Sequence, residues 1–400
     1  MTEHPVSVSQ WLLIALCWIA TFYTVVAAFA MPFFTKRAAI RRVGWTSVSV
    51  LKPLCGVEPR LYENLVTFCE QAHPRFQLLF GVSSAVDPAI GVVRRLQAAY
   101  PQCDIELVID SRVHGRNLKV SNLINMAQRA RHDIIVLADS DIAVQPDYLD
   151  TVTAPLADLD TGVVTCLYRA QSVGGFWPRM GALFINEWFA PSVRVAHAGG
   201  SRRFGFGATL ALRRTTLENI GGFETLKDCL ADDYWLAEHA RALGLNTVLS
   251  PVMVATDVIE PTFTTLWLRE VRWLRTIRSV NLPGFASLII TFTSPWLLVG
   301  ALLACELSCR DVAHPVMGLT LSISTVMGTI ARILLHARSA RYSHTFWRDL
   351  PLVPLRDTLL ALQWLGAVFG SHVVWRGARM SVVNRVTRRR TSIMEISDGR

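Results

Sequence analysis

The sequence predicts a mixed α/β domain with a mostly parallel sheet, held between membrane-spanning helices. Segment 11–34 carries no charge, and the chain becomes strongly apolar again after residue 284. Between them, in segment 46–280, short β-rich runs alternate with helical stretches. This alternation is typical of a parallel sheet with helices on both faces.

Composition favours a membrane protein. Apolar residues make up 51% of the chain, mean hydropathy is +0.33 and charged residues make up only 18%, against about 25% in an ordinary soluble domain. The net charge of +9 is concentrated beside the apolar segments, at Lys36, Arg37, Arg41, Arg42 and 376–390. These clusters indicate headgroup contacts and topology signals. They do not alternate with stacking aromatics, so no nucleic-acid partner is expected.

The eight cysteines are scattered and have no histidine neighbours at metal-binding spacing. They form neither a zinc motif nor a disulfide framework, which favours reduced cysteines in a cytosolic domain.

The apolar segments predict the topology. A bilayer core of about 30 Å needs about 20 apolar residues in a helix, so 11–34, 286–308 and 314–336 can each span. Residues 1–10 lack Lys and Arg, whereas TKRAAIRR follows the first span. The N-terminus should therefore lie outside and the main domain in the cytosol, and a cleaved signal peptide is disfavoured.

Segment 351–374 is harder to assign because it contains Arg356, Asp357 and two prolines. If it spanned the membrane, the basic tail 375–400 would lie outside. An interfacial or re-entrant element is therefore favoured over a span.

Two acidic motifs carry candidate chemistry. Asp139 and Asp141 follow the apolar run DIIVLAD, where two carboxylates at a strand end suit a hard divalent cation shared with a diphosphate. A solvated Asp-Ser-Asp turn is the alternative. Asp232 and Asp233 begin a helical stretch in LADDYWLAEHA. One of them could serve as a general base, or both could merely complement the helix dipole.

Two further motifs bring cationic groups. In LREVRWLRTIR, Arg269, Arg272 and Arg275 recur at helical spacing around Trp273. They could bind a pyrophosphate and a sugar face, anionic headgroups, or both. Lys119 and Asn122 lie near a helix start that could cradle phosphates.

Asp87 follows a predicted strand and precedes a helix. It could bond to a nucleotide base or ribose, or simply cap the helix that begins at Pro88.

The order of these motifs resembles the processive-type family 2 glycosyltransferases and, more closely, the ceramide glucosyltransferase group, family 21. The similarity runs from about residue 46 into the first C-terminal spans. It rests on SVLKPLCGVEPRLYENL, DPAI, KVSNL, DSD, ADDYWLA and REVRW. The tail phrase WRGAR at 375–379 also looks like the basic segment of such enzymes.

The resemblance implies a GT-A fold and a role for each motif residue. Asp87 would contact the uridine, Lys119 would hold the donor, and Asp139 would contact the nucleotide or donor sugar. Asp141 would ligate Mg²⁺ or Mn²⁺, and Asp233 would be the general base. Arg269 and Arg272 would neutralise the diphosphate, and Trp273 would shape the acceptor mouth.

Human-type ceramide enzymes relax the second aspartate of this DxD motif, whereas DSD is intact here, so the chain is most similar to the bacterial branch. KVSNLINM and LADSDIAV look most like the hopanoid-biosynthesis glycosyltransferases, which implies transfer of N-acetylglucosamine from a UDP-sugar to bacteriohopanetetrol at a bacterial inner membrane. Ceramide glucosylation from UDP-glucose is the alternative.

The motifs favour a single-displacement, inverting reaction. No Cys or Ser lies in a nucleophile-elbow context, so a covalent enzyme intermediate is not expected. A transporter is disfavoured because the spans are few and the insert between them is large. A polysaccharide synthase would share these motifs but usually has more membrane helices.

Overall fold

The computed structural model describes residues 7–30, 46–309, 315–341, 343–375 and 378–381. The predicted basic residues at 36–42, most of the extracytoplasmic segment 1–10, the link near Arg310 and nearly all of the tail 375–400 lie outside the described residues. Every structural statement below refers to the described part of the chain.

The predicted strands and helices of the first half are present. The elements are α1 (Val8–Ala30), β1 (Val48–Pro53), α2 (Leu61–Cys69), β2 (Phe76–Val82), α3 (Ala89–Ala99), β3 (Asp104–Ile109), α4 (Leu118–Ala127), β4 (Ile134–Leu137), β5 (Ile142–Ala143) and α5 (Tyr148–Thr153).

The second half continues with long strands and longer helices. Its elements are β6 (Thr161–Ser172), α6 (Phe176–Phe184), α7 (Ala190–Ala198), β7 (Leu210–Arg213), α8 (Arg214–Asn219), α9 (Asp232–Ala242), β8 (Asn246–Val258), α10 (Phe263–Val280), α11 (Leu282–Ser287), α12 (Thr293–Cys309), α13 (Pro315–Ala340), α14 (Phe346–Asp349), α15 (Leu352–Val368), β9 (His372–Trp375) and β10 (Ala378–Ser381). A π-helical turn, Ile185–Phe189, joins α6 to α7.

Eight strands form one sheet in the order β3-β2-β1-β4-β7-β6-β8-β5. β1, β2, β3 and β4 pair in parallel, as do β6 and β8, whereas β7 and β5 pair antiparallel to their neighbours. The antiparallel pairs make the second half of the sheet less regular than the predicted parallel arrangement.

Helices cover both faces of the sheet, because alternate residues of each strand point to opposite sides. Val50 and Leu78 belong to a buried cluster with α2 and α3. Leu51 and Leu79 belong to another cluster with α4 and α9. The predicted α/β class is therefore confirmed.

β1 has β2 on one side and β4 on the other, so the chain order reverses at this point of the sheet. Ligands of open α/β sheets bind outside the carboxyl ends of the strands at such a reversal. The fold thereby places the ends of β1, β2 and β4, with the residues that follow them, at the expected ligand edge.

Two described helices are long and apolar enough to cross a bilayer, Val8–Ala30 and Val316–Ala340. A third candidate is a bent pair, Leu282–Thr291 with Thr293–Ser308, whose axes meet at 54°. α1 packs against both α12 and α13. The predicted segments 11–34, 286–308 and 314–336 overlap these three elements.

α15 occupies the segment 351–374 that was difficult to assign. It is 17 residues long, and its Arg356, Asp357 and Gln363 side chains are buried against the rest of the protein. The interfacial placement of this segment stays a prediction.

Candidate active site

The end of β1 supplies a buried cation beneath the DSD turn. Lys52 is fully buried, donates a hydrogen bond to the backbone oxygen of Asp139 at 2.7 Å and lies 3.7 Å from the ring centroid of Phe68. Burial lowers the pKa of Lys52 to about 7, against the opposing effect of Asp141 and other carboxylates. Lys52 therefore fixes the backbone turn in which the two aspartates lie.

Lys119 links the DSD turn to the acidic pair of α9. Its Nζ lies 2.7 Å from Asp139 Oδ1 and 3.5 Å from Asp232 Oδ2. Burial opposes the charge of Lys119, but the carboxylates of Asp139, Asp232 and Asp233 raise its pKa well above the ordinary value. Lys119 is thus a permanent cation among these acidic groups.

The start of α4 holds Lys119 in place. The side chain of Asn117 caps the helix by accepting from the Val120 N–H at 3.1 Å. Its amide also donates to the carbonyl of Cys229 at 2.9 Å and to Asp232 Oδ1 at 3.2 Å. The predicted phosphate-cradling helix start is therefore tied to the acidic segment before α9.

Asp141 is partly buried and close to other carboxylates. Thr256 Oγ1 donates to Asp141 Oδ2 at 2.6 Å, which orients the carboxylate from β8. Burial, Asp139 and Glu58 together raise the pKa of Asp141 to about 7. Such a crowded anionic group favours a bound cation.

Asp233 occupies the first turn of α9. Its Oδ2 accepts from the Gly207 N–H at 2.8 Å, and its Oδ1 accepts from the Tyr234 N–H at 2.8 Å. Burial and the adjacent Asp232 raise the pKa of Asp233 to about 6, whereas Lys119 works in the opposite direction. A carboxylate with this pKa is matched to proton abstraction near neutral pH.

Gly207 brings the backbone between the two halves of the site. A Cβ atom at this position would lie 2.8 Å from Asp139 Oδ2 and 3.2 Å from Lys119 Nζ. A side chain here would displace the Asp139 carboxylate, and the same glycine donates its N–H to Asp233.

We expect Gly207→Ala to raise the KM for the nucleotide donor about tenfold, because the new methyl group displaces the Asp139 carboxylate and misplacements of this size cost up to about 100-fold in rate. Gly91→Ala is the matched control, since its Cβ would enter open space. Donor titrations of both variants in membranes measure the effect. An unchanged KM for Gly207→Ala would show that the Asp139 carboxylate does not set donor affinity.

Arg269 and Arg272 of α10 differ in their surroundings. Arg269 pairs with Glu260 at 2.6 Å and lies 3.6 Å from Glu270, and its guanidinium is 5.5 Å from the ring centroid of Trp273. Burial and Arg269 lower the pKa of Arg272 to about 10, while Asp233 and Asp139 raise it. Arg272 therefore interacts electrostatically with Asp233 and Asp139 of the acidic cluster.

An aromatic wall surrounds Trp273. The ring centroids of Tyr168, Phe184 and Phe189 lie 6.3, 5.9 and 6.1 Å from that of Trp273. Burial and the charge of Asp233 raise the pKa of the Tyr168 hydroxyl far above its usual value. The wall thus begins beside the acidic cluster, and its partly exposed members Tyr168, Phe189 and Trp273 are the ones that could meet apolar or sugar groups, because Phe184 is fully buried.

Asp87 lies in the loop after β2. Both of its carboxylate oxygens accept from the Gly56 N–H at 3.1 Å, and Oδ1 also accepts from the Ala89 N–H at 2.8 Å. It therefore caps α3 and joins the loop after β1 to the loop after β2. The structure brings Lys119, Asp139 and Asp233 together, whereas Asp87 bonds to backbone groups of the loop after β1 and of the start of α3.

Glu58 was not singled out from the sequence, yet it accepts from Ser140 Oγ at 3.2 Å. Asp232, one of the two aspartates considered for the base, instead accepts from Asn117 and lies 3.5 Å from Lys119 Nζ. The glycine spacing in FGFG was the available sign of a close backbone approach at Gly207.

The donor set fits a hard divalent cation. The described residues contain no group of three or more His, Cys, Asp or Glu side chains placed to hold a metal ion. Two aspartates with diphosphate oxygens are, however, the ligands that Mg²⁺ takes at nucleotide sites. The pKa of Asp141 is raised first by burial and then by Asp139 and Glu58, and it is the second of these effects that a bound cation would offset.

Comparison with known proteins extends the match along nearly the whole chain. The model of glycosyl transferase family 21 matches residues 12–387. Ceramide glucosyltransferase 1 of Caenorhabditis elegans is 28% identical over 229 residues, which are 57% of this chain and 49% of that protein. Ceramide glucosyltransferase of Komagataella phaffii is 31% identical over 120 residues, 29% of this chain and 24% of that protein. The chain spans about half the length or less of these curated relatives.

A solved structure supports the fold. A mannosyltransferase from Pyrobaculum calidifontis, in complex with GDP-Man and Mn²⁺, superposes with a TM-score of 0.52 at 20% identity and covers 88% of this chain and 97% of its own. This likeness confirms the predicted GT-A type fold. Because the family model matches most of the sequence, the chain belongs to glycosyltransferase family 21.

Proposed function

We propose that this protein is an inverting glycosyltransferase that moves a sugar from a UDP-sugar to the hydroxyl of a membrane lipid. The observation that carries the proposal is the meeting of Lys119, Asp139 and Asp233 at the carboxyl edge of the sheet, beside the aromatic wall around Trp273. The edge suits a nucleotide diphosphate, and the wall suits a sugar or a lipid acceptor.

The reaction is a single displacement. The carboxylate of Asp233 takes the proton of the acceptor hydroxyl while that oxygen forms a bond to the anomeric carbon. The bond between that carbon and the diphosphate oxygen breaks, and the electron pair leaves with UDP. Attack from the face opposite the leaving group inverts the anomeric configuration.

Fixed charges stabilise the departing UDP. Lys119 and Arg272 supply positive charge near the diphosphate, and Asp87 is proposed to bond to the uridine. When Mg²⁺ or Mn²⁺ is bound, it adds positive charge to the leaving group, and Asp141 and Asp139 are the residues that would hold it. Arg269 pairs with Glu260 through Nη1, so its proposed contact with the diphosphate would compete with that pair.

Membrane attachment suits a lipid acceptor. Val8–Ala30 and Val316–Ala340 are candidate spans, and a lipid hydroxyl stays at headgroup depth. We propose a multi-pass protein of a bacterial inner membrane with the catalytic domain in the cytoplasm. The charge distribution along the sequence supports this orientation.

Two acceptors are proposed. The sequence wording favours transfer of N-acetylglucosamine to bacteriohopanetetrol. The ceramide glucosyltransferases among the relatives favour transfer of glucose to ceramide. Each pair is a UDP-sugar and a lipid alcohol, so both fit the same mechanism.

Mass spectrometry of lipids distinguishes the two. We expect membranes that contain the protein to convert one acceptor to a monoglycoside when supplied with UDP-N-acetylglucosamine or UDP-glucose. Membranes with Asp233→Asn serve as the control. A ladder of products would indicate a polymer synthase, and no glycoside from any donor and acceptor pair would contradict lipid glycosylation.

A further inference from the structure

We infer that α15 acts as a brace that positions the REVRW segment of α10, and that Arg356 and Gln363 are its positioning residues. The inference rests on the proposed function, because the segment that is positioned carries the arginine assigned to the diphosphate. It gives a function to the segment that the sequence could not place.

The centre of the brace is Glu270, which lies between Arg269 and Arg272 in the sequence and is fully buried. Glu270 Oε2 accepts from Arg356 Nη1 at 2.8 Å and from Gln363 Nε2 at 2.7 Å. Arg356 also donates to Gln363 Oε1. Three side chains from two helices thus form a closed, buried hydrogen-bonded group.

The second oxygen of Glu270 faces Arg269. Glu270 Oε1 lies 3.6 Å from Arg269 Nη2 and has no hydrogen bond within the described residues. Arg269 in turn approaches the ring of Trp273. A continuous path of charged contacts therefore runs from α15 through Glu270 and Arg269 to the aromatic wall.

A second path leads from the same arginine to the same wall. The guanidinium of Arg356 lies 5.3 Å from the ring centroid of Phe184, and Phe184 lies 5.9 Å from Trp273. Arg356 is 2% exposed and Phe184 is fully buried, so their contact lies inside the protein.

The far end of α10 holds the end of α15. Arg275 donates to the backbone oxygens of Phe369, His372 and Gly366 at 3.1, 3.1 and 3.3 Å. Arg278 donates to the oxygens of Val368 and Gly370. These arginines satisfy carbonyls at a helix C-terminus, where cations are favourable. In this structure they contact protein, although a headgroup role was the alternative from sequence.

The electrostatics explain why the brace controls Arg269. Glu270 is a buried anion, and its strongest partner is Arg356. If Arg356 is removed, the nearest remaining cation is Arg269, only 3.6 Å away on the same helix. We expect Glu270 to draw Arg269 from Glu260, which disturbs both Trp273 and the neighbouring Arg272.

The test compares Arg356→Met, Arg356→Lys, Glu270→Gln and the double variant Glu270→Gln with Arg356→Met in the full chain. KM for the UDP-sugar, inhibition by UDP, kcat and the amount of folded protein are measured for each in membranes. We expect Arg356→Met to raise both KM and the UDP inhibition constant about tenfold, with a smaller change in kcat.

The other variants make the expectation specific. Arg356→Lys keeps the charge but loses one of two contacts, so it should fold and raise KM about threefold. The double variant leaves no buried charge, and the amide that replaces the Glu270 carboxylate can still bond to Gln363, so KM should return to within about twofold of wild type. Failure of the double variant to restore KM overturns the inference.

Arg332→Met is the matched control, because Arg332 is an equally buried cation of α13 that bonds to Glu187 and Asp357 at 2.7 and 2.9 Å. It should lower the amount of folded protein without changing KM. An equal rise in KM for Arg332→Met would mean that any loosening near α15 has this effect, which also overturns the inference.

Arg272→Ala separates the brace from the proposed function. If Arg272→Ala raises the UDP inhibition constant and Arg356→Met and Arg356→Lys do not, the brace is wrong and the donor site stands. If Arg272→Ala also leaves UDP inhibition unchanged, the proposed contact of α10 with the diphosphate is wrong, and the proposed function itself is contradicted at this point.

Discussion

Asp233→Asn is expected to abolish sugar transfer while UDP still binds. The amide cannot take the proton of the acceptor hydroxyl, and general-base catalysis contributes about 10²–10⁴ in rate. We therefore expect kcat to fall roughly 1,000-fold or more. UDP inhibition of residual activity, or direct binding of labelled UDP, should stay within a fewfold of wild type because Lys119 and Asp139 remain in place.

The choice of asparagine keeps most of the local geometry. Its oxygen can still accept from the Gly207 N–H, although the amide group then faces the Tyr234 N–H. Glu238→Gln is the matched control, since Glu238 lies on the same helix but pairs with Arg241. It should retain near-normal turnover. Substantial activity in Asp233→Asn, with normal activity in the control, would show that another group is the base.

The pH dependence of the wild type tests the same assignment. Because burial and Asp232 raise the pKa of Asp233 to about 6, the carboxylate is the active form above this pH and is lost by protonation below it. We expect kcat/KM to fall about tenfold per pH unit below about 6 and to level off above it. A flat profile between pH 5 and 8 would contradict a base with this pKa.

The alternation of short strands and helices predicted the first half of the domain well. Val50 and Leu51 show why, since each alternate residue of β1 enters a different core. The carboxyl ends of parallel strands lie at one edge of such a sheet, and Asp87 and Asp139 follow β2 and β4 at that edge. Local pattern and topology suffice to place them there.

Contacts that depend on tertiary structure could not be predicted in this way. Nothing local in REVRW indicates that Glu270 is a buried anion, because its partners Arg356 and Gln363 come 86 and 93 residues later. The pairing of Arg269 with Glu260 is equally invisible, since an arginine that binds phosphate and one that binds a carboxylate have the same sequence pattern.

The 54° bend before α12 was also missed, because hydropathy reports which residues are apolar but not where a helix changes direction. The antiparallel strand β7 was not predicted either, because it is too short to show a pattern in the sequence. Four residues suffice to insert it between β4 and β6, and so short a run has no clear period.

Asp141→Asn is expected to remove activity and, at the same time, to stabilise the metal-free protein at alkaline pH. Activity is lost because the cation site would keep only one of its two proposed carboxylates, and the dependence on Mg²⁺ or Mn²⁺ should disappear with it. The oxygen of asparagine can still accept from Thr256 Oγ1, so the fold is retained. Full activity of the wild type in EDTA would contradict the metal assignment.

The stability effect follows from the pKa of Asp141. Its folded value of about 7 lies above the unfolded value of about 3.9, so the folded state binds the proton more tightly. The stability that this proton contributes is fully present below about pH 4 and is lost as the pH rises through about 7. At pH 8 the wild type therefore carries a partly buried, crowded anion that the asparagine variant lacks.

Thermal unfolding at two pH values measures this difference. We expect Asp141→Asn to unfold about 1–3 °C higher than wild type at pH 8 without metal, because about 1 kcal/mol shifts the midpoint of a chain of about 150–250 residues by about 2–4 °C and that of a longer chain by less. At pH 4, where the carboxyl is protonated in the folded state and about half protonated in the unfolded state, the gain should largely vanish. Asp158→Asn, at an exposed position, is the control and should change neither value.

Added Mn²⁺ should reverse the ranking of the two proteins at pH 8. A cation that binds only the folded wild type raises its midpoint by mass action, whereas the variant gains little. Equal midpoints at pH 8 without metal would show that Asp141 is not strained by its neighbours. Carboxylates that hold a divalent cation against a diphosphate are expected to destabilise the folded protein when the cation is absent. Here the repulsion among Asp139, Asp141 and Glu58 is the source of that destabilisation.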